Sequence, residues 1–211
     1  MGPPGAGKGS QSARLVEEFS LTNISTGEMF REAYRNKEPL GLEAMSFIDK
    51  GELVADDITN EIVRHRLLKQ DATRCFLLDG YPRTVAQAEA LDGMLNEMSS
   101  KLTAVINIVV DKQAILERMV GRRVCKKCGL SYHLSFKPPK IEGRCDACGG
   151  ELYQRTDDQL DSVKNRLDIY ESKTKPIVDY YKGRGILKEV DGMQSFEEVY
   201  RDIKQALGEL K

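Results

Sequence analysis

The sequence predicts an α/β fold: a parallel sheet with helices on both faces. Two observations carry that prediction. A glycine-rich turn ending in lysine, "GPPGAGKGS", opens directly into an amphipathic stretch. Two short apolar runs, "CFLLD" (75–79) and "AVINIVV" (104–110), are then separated by a long helical pattern. Strands alternating with helices build parallel sheets. At 211 residues the chain fits one medium domain with room for a small insertion.

After Lys8, the residues Ala13, Leu15, Val16 and Phe19 recur at helical spacing and predict a helix ending near Ser20. Two helical stretches flank "NKEPLG", where Pro39 and Gly41 interrupt the chain, and Gly51 closes the second. Ile58, Ile62, Val63 and Leu67 give a further amphipathic helix. The two apolar runs are expected to be strands buried on both faces, with the helix "TVAQAEALDGMLNEM" between them. Cys75, at the start of the first, is expected to be a small buried hydrophobe. One long helix is expected from about Asp158 to Tyr181, then a short strand in "GILKEVDG". A last helix carries Phe196, Val199, Tyr200, Ile203 and Leu207. The segment 121–158 stands apart, rich in Cys, Gly, Pro and Lys and poor in helix formers.

Composition excludes several classes. Lys plus Arg number 32 and Asp plus Glu 33, so a net charge of −1 predicts no strong attraction to nucleic acid or anionic membrane. The longest apolar run is far too short to span a bilayer, and no charged region followed by an apolar one suggests a secretory signal. Four of the five cysteines fall in two Cys-x-x-Cys pairs, which favours a reducing, cytoplasmic setting over a disulfide framework.

The opening loop suits phosphate. Its glycines let backbone N–H groups converge on an anion, the helix that follows adds partial positive charge, and Lys8 can reach outer phosphates. Gly9 stands between that lysine and Ser10, where the general pattern puts serine or threonine directly after the lysine. The second chemical signal is Cys125-x₂-Cys128-x₁₆-Cys145-x₂-Cys148. Two such turns, each offering two thiolates, complete a tetrahedron around zinc or another thiophilic ion, with Gly129 and Gly149 permitting the turns. Four thiolates leave no open position, so the metal would be structural. Two disulfides are the alternative. His133 is not expected to be a ligand.

"GPPGAGKGSQ", "STGEMFR" (25–31), "LLDGYPRT" (77–84), "RMVGRRVC" (118–125) and "RTDDQ" (155–159) together resemble the adenylate kinase family, in order and over essentially the whole chain. In that family a glycine commonly follows the loop lysine. The resemblance implies a P-loop kinase fold with a core of 1–24, 55–120 and 159–211, an AMP-binding insertion at 25–54 and a zinc lid at 121–158. It implies Mg²⁺-dependent phosphoryl transfer between ATP and AMP, giving two ADP, by a monomer. The chemistry agrees: phosphoryl transfer needs positioning and charge neutralisation. A monophosphate, with a second pKa near 6, needs no general base, and the chain has only two histidines. Arginine's planar fork suits phosphate oxygens.

Residue by residue, the resemblance implies that Gly5, Ala6, Gly7, Lys8, Gly9 and Ser10 hold the ATP phosphates. Thr26, Arg31, Gly80, Tyr81, Pro82, Arg83 and Gln87 would belong to the AMP site, with the backbone of Glu52, Leu53 and Val54. Arg118 would stack on the ATP adenine, Ser131 and Tyr132 would reach ATP from the lid, and Gln194 would touch the base through its backbone. Arg122, Arg155 and Arg166 would clamp phosphates and, with Lys8 and Arg83, form the catalytic set; Arg155 and Arg166 would also face AMP. Asp79, at a strand's carboxyl end, is the candidate for a Mg²⁺–water contact. Asp157 and Asp158 would fix the lid hinge.

The family's first strand, a short apolar run before the loop, has only Met1 to represent it here. The expectation is a natural protein about five residues longer and more stable than the 211-residue chain. Two other functions compete: a kinase of this fold for another monophosphate, and a zinc-ribbon nucleic-acid-binding module carrying a P-loop domain. The locally basic lid (Lys126, Lys127, Lys137, Lys140) would serve the latter, but aromatics for stacking are sparse.

Overall fold

In the computed structural model residues 1–208 are described. The opening loop leads into α1 (Lys8–Phe19), ended by Ser20 in the left-handed conformation. β1 (Thr22–Ser25) runs parallel to β2 (Phe76–Asp79), with Ile24 opposite Leu78. β3 (Val105–Val109) runs parallel to β7 (Leu187–Asp191), with Asn107 opposite Glu189. Both pairings are parallel, as expected, but they form two separate two-stranded ladders. Among the described residues Met1 hydrogen-bonds to β3, its amino group to Ile106 O and its carbonyl accepting from Ile108 N at 3.0 Å.

Between the strands lie α2 (Thr26–Arg35), α3 (Pro39–Ile48), α4 (Asp56–Leu67), α5 (Val85–Glu97) and α6 (Lys112–Val120). α7 (Leu160–Ile169), α8 (Pro176–Gly183) and α9 (Phe196–Gly208) follow the lid. Helices cover both faces of the β3–β7 pair. On one, Ile106 and Ile108 pack with Leu15, Val199 and Ile203 of α1 and α9; on the other, Val105 packs with Ala88, Ile177 and Tyr181 of α5 and α8. Burying such side chains stabilises by about 1.5–3 kcal/mol each. α2 and α3 form a hairpin over Phe30, Ala44 and Val54. A Cβ at Gly41 would stand 2.1 Å from Tyr34 N, so only glycine permits this approach. Pro39, at the first turn of α3, has its φ preset for a helix.

The lid holds a small antiparallel sheet of β4 (Arg122–Cys125), β5 (Ser131–His133) and β6 (Leu152–Tyr153), in the order β5-β4-β6. Its base is tied to the α2–α3 hairpin. Thr156 donates to the Asp49 carboxylate, Ser162 to Asp49 O at 2.9 Å, and Asn165 to Lys50 O at 2.8 Å.

Three expectations need correction. The helix expected from Asp158 to Tyr181 is two helices joined by a π turn at Tyr170–Thr174, after a 3₁₀ turn at Thr156–Asp158. Pro176 lacks the N–H a continuous helix would need there. Cys75 is exposed, because it precedes β2 and contributes only its carbonyl, which accepts from Thr22 N at 3.0 Å. The apolar runs are not buried on both faces throughout: every β2 residue is half-buried and Val109 is 48 % exposed, and the two ladders are not hydrogen-bonded to one another.

Candidate functional site

The loop before α1 is built to meet an anion. Gly7, at φ 91°, turns the backbone into the helix, and no side chain caps that end, which leaves its first amides open. Ala6 N closes the loop onto Pro3 O at 3.2 Å. Lys8 Nζ folds back to donate to Gly2 O and Pro3 O, both at 2.7 Å. Asp79, the last residue of β2, brings its carboxylate to the same place: Oδ2 lies 3.6 Å from where a Cβ on Gly9 would stand. A carboxylate beside a phosphate loop at a strand's carboxyl end fits a Mg²⁺–water contact.

Cations converge there. Burial pushes the Lys8 ammonium down to about 7, opposed by Asp79 and reinforced by Arg83, Arg166 and Arg122. Burial also lowers Arg83 and takes Arg166 to about 10, with Asp79 and Asp157 respectively acting against it. Two buried carboxylates hold Arg122, Arg155 and Arg166. Asp158, fully buried, accepts from Arg122 Nε at 2.7 Å and from Arg166 at 3.3 Å. Asp157 accepts from Arg155 Nε at 2.8 Å and Arg166 at 2.9 Å. Burial raises the Asp157 carboxyl, but Arg166 and Arg155 outweigh it and hold it at about 2.

A second cleft opens between the α2–α3 hairpin and β2. Thr26, Glu52, Leu53, Val54, Gly80, Arg83 and Gln87 line it together. Thr26 Oγ1 and Arg83 Nε both donate to Gly80 O, at 3.0 and 2.7 Å. Gln87 is 2 % exposed and engaged at both ends, its Nε2 donating to Asp56 Oδ1 and its Oε1 accepting from Arg83 N, each at 2.7 Å. Arg31 pairs with Glu28 at the margin, where Arg155 is close enough to depress it further after burial. Tyr81 lies in the core, its hydroxyl donating to Asn60 Oδ1 at 2.7 Å, and Pro82 follows it. Gly27, Phe30, Ile48 and Thr59 also line the cleft and were missed. Phe30 stands one helical turn after Thr26, a spacing that could have found it.

In the lid the four cysteine sulfurs lie within 4.8 Å of one another. Cys125–Cys148 and Cys128–Cys145 are each 3.5 Å apart, far beyond a disulfide's ~2.05 Å. Tetrahedral Zn–S bonds of ~2.3 Å put sulfurs about 3.8 Å apart, so the set fits zinc. His133 is turned away, its Nδ1 accepting from Ser135 N and Phe136 N. Tyr132 is 3 % exposed in the lid core, its hydroxyl set between Cys145 Sγ and Asp146 N, while Ser131 is half-buried beside it. Arg118 donates to Gly192 O at 2.9 Å, next to Gln194, whose side chain turns to Asp202.

The adenylate kinase family model matches residues 1–186. The adenylate kinase of Carboxydothermus hydrogenoformans is 57 % identical over 207 residues, 98 % of this chain and 97 % of that protein. That of Bacillus subtilis is 54 % identical over 211 residues, 100 % of this chain and 97 % of its own. That of Thermoanaerobacter is 51 % identical over 209 residues, 99 % of this chain and 96 % of its own.

Proposed function

Because the chain belongs to the adenylate kinase family, we propose that ATP and AMP meet where its two clefts join, between the phosphate loop and Arg83. The reaction is reversible Mg²⁺-dependent phosphoryl transfer from ATP to AMP, giving two ADP. The observation that supports this placement is that β2 ends with Asp79 beside Gly9 of the phosphate loop, while the next residue, Gly80, lies against Arg83 of the second cleft.

Gly5 to Ser10 hold the ATP phosphates on the loop and the uncapped end of α1, with Lys8 on the transferred group. Phosphate oxygens give Lys8 an anionic partner in place of two carbonyls, and so keep it charged. Asp79 is the residue that would hold Mg²⁺, which would supply neutralisation of phosphate charge. Arg83, Arg122, Arg155 and Arg166 fix acceptor and donor phosphates in line, which supplies the positioning and charge neutralisation that this chemistry requires. The AMP phosphate is already anionic near neutral pH, so no side chain need take a proton. Thr26, Arg31 and the backbone at 52–54 of the insertion 25–54, with Gly80, Tyr81, Pro82 and Gln87 of the core, form the AMP site. Arg118, Ser131, Tyr132 and the Gln194 backbone serve the ATP base and lid. Tyr132 contributes its backbone there, since its hydroxyl is engaged by Cys145 and Asp146. Segment 121–158 is the lid, its zinc structural, and the remainder the core.

We read the protein as a cytoplasmic monomer. No helix among the described residues is long and apolar enough to cross a membrane, and a four-thiolate site suits a reducing compartment. The test supplies ATP with AMP, CMP, UMP and GMP separately, and titrates the inhibitor in which five phosphates join two adenosines. Preference for AMP and one inhibitor per chain, excluding both nucleotides, are expected. Turnover of another monophosphate above AMP, or inhibitor displacing ATP but not AMP, overturns the placement.

A further inference from the structure

Gln87, on the lining of the AMP cleft, is held at both ends of its amide. Its Nε2 donates to Asp56 Oδ1 and its Oε1 accepts from Arg83 N, each at 2.7 Å. The chemistry of the two partners fixes which end is which. A carboxylate accepts and never donates, while a backbone N–H donates and never accepts. Turning the amide over would set oxygen against oxygen at Asp56 and N–H against N–H at Arg83. At 2 % exposure, water replaces neither bond.

Asp56 is itself fixed. It opens α4, two residues after the backbone at 52–54 that lines the same cleft. Its second oxygen, Oδ2, accepts from Thr84 Oγ1 at 2.7 Å, and that hydroxyl caps α5 by accepting from Gln87 N at 3.1 Å. The three residues close a ring of hydrogen bonds between the starts of α4 and α5. Asp56 is not part of the cleft lining, so what it does there it does through Gln87.

A primary amide carries two N–H groups and two lone pairs. Asp56 and Arg83 take one of each, which leaves Gln87 one N–H and one lone pair in a fixed order. Adenine complements that order, since its 6-amino group donates and its N1 accepts. A 6-oxopurine has the same shape and reverses both, with O6 accepting and N1–H donating. It would need the amide turned over. We propose that Asp56 is a positioning residue for the choice of nucleobase: by holding the Gln87 amide in one orientation, it makes the acceptor site take a 6-aminopurine monophosphate and reject a 6-oxopurine one. The proposal rests on the reading of this cleft as the AMP site and adds the residue that gives its polar edge a direction. Rejection is strong when the wrong base leaves a site's buried polar groups unpaired.

The experiment measures kcat and KM for AMP and for inosine monophosphate, with ATP as donor, in the full chain and its variants. The two acceptors match in shape and differ in that donor–acceptor order. The unaltered chain should favour AMP by about 100-fold or more in kcat/KM. Asp56→Asn offers Gln87 either an N–H or an oxygen, and the Thr84 hydroxyl suits both, so the preference should fall about tenfold. The change should lie in KM for the monophosphates and not in KM for ATP. A merely structural role would weaken both monophosphates alike and leave their ratio unmoved. Thr84→Val, which takes away the second partner of Asp56, should move the ratio the same way and keeps the experiment readable if Asp56→Asn does not fold. A ratio near one in the unaltered chain, or a ratio unmoved in the Asp56 and Thr84 variants, overturns the proposal. Gln87→Leu separates it from the reading beneath. A collapsed ratio there, beside an unmoved one in Asp56→Asn, removes Asp56 alone. An unmoved ratio and KM for AMP in Gln87→Leu removes Gln87 from the AMP site, and the proposal with it.

Discussion

Single side chains decide most of the chemistry. Arg83 donates to Gly80 O and reaches the fields of both Lys8 and Arg31, so it stands between the two clefts. Arg83→Lys keeps the charge and loses the fork, a charge-assisted contact of about 1.5–3 kcal/mol. Turnover should fall roughly 10- to 150-fold with little change in melting temperature; near-normal kcat would remove Arg83 from the site. Asp157 tests the hinge. Its carboxyl titrates at about 2 in the folded protein against an ordinary 3.8. A depressed carboxyl contributes stability that is complete above pH ~4 and lost as pH falls through 2, here about 2 kcal/mol. Asp157→Asn should therefore flatten the acid limb of a stability–pH curve between those values, whereas superimposable curves would deny it the role. Identities at this scale were readable because the cations fall inside recognisable words. Partners were not: nothing in the spacing says that Asp56 holds Gln87, or that Tyr132 turns inward to Cys145.

Elements carry two further expectations. Gly41 allows α3 to touch α2, and an added methyl has nowhere to go. Gly41→Ala should raise the KM for AMP several-fold while leaving the KM for ATP nearly unchanged; equal effects on both would mean the hairpin does not shape one site alone. In the lid, one zinc should copurify per chain. Cys128→Ser should lower thermal stability more than activity at low temperature, because a closed site holds the lid and touches no reacting atom. Metal analysis finding no zinc without chelators present would refute this. Long periodic helices were legible, and so were apolar strands. β1 was not, since "TNIS" offers one buried apolar residue, Ile24, and its placement depends on β2. Strands β4 to β6 escaped because two to four residues carry no period, and a small cluster of Tyr132, Leu130 and Leu152 around the cysteines gathers them. The π turn hid inside an unbroken helical pattern that only Pro176 betrayed.

At the scale of the molecule, both clefts should fill together. A ligand spanning them at about 1,000 times its Kd adds about 4 kcal/mol. For a chain of this size that is a rise in Tm of about 8–16 °C. Calorimetry should show the bis-adenosine inhibitor exceeding ATP or AMP alone, and a shift no larger than that of ATP would leave only one cleft in use. Topology was legible as parallel pairing, while the division into two ladders depends on which strands lie side by side. The bonds from Thr156, Ser162 and Asn165 to residues 49 and 50 have a thermodynamic meaning beyond their number. Fixing a residue's backbone costs about 1–2 kcal/mol of conformational entropy. Two covers hung from one post incur that loss once, at the post, rather than separately at each hinge.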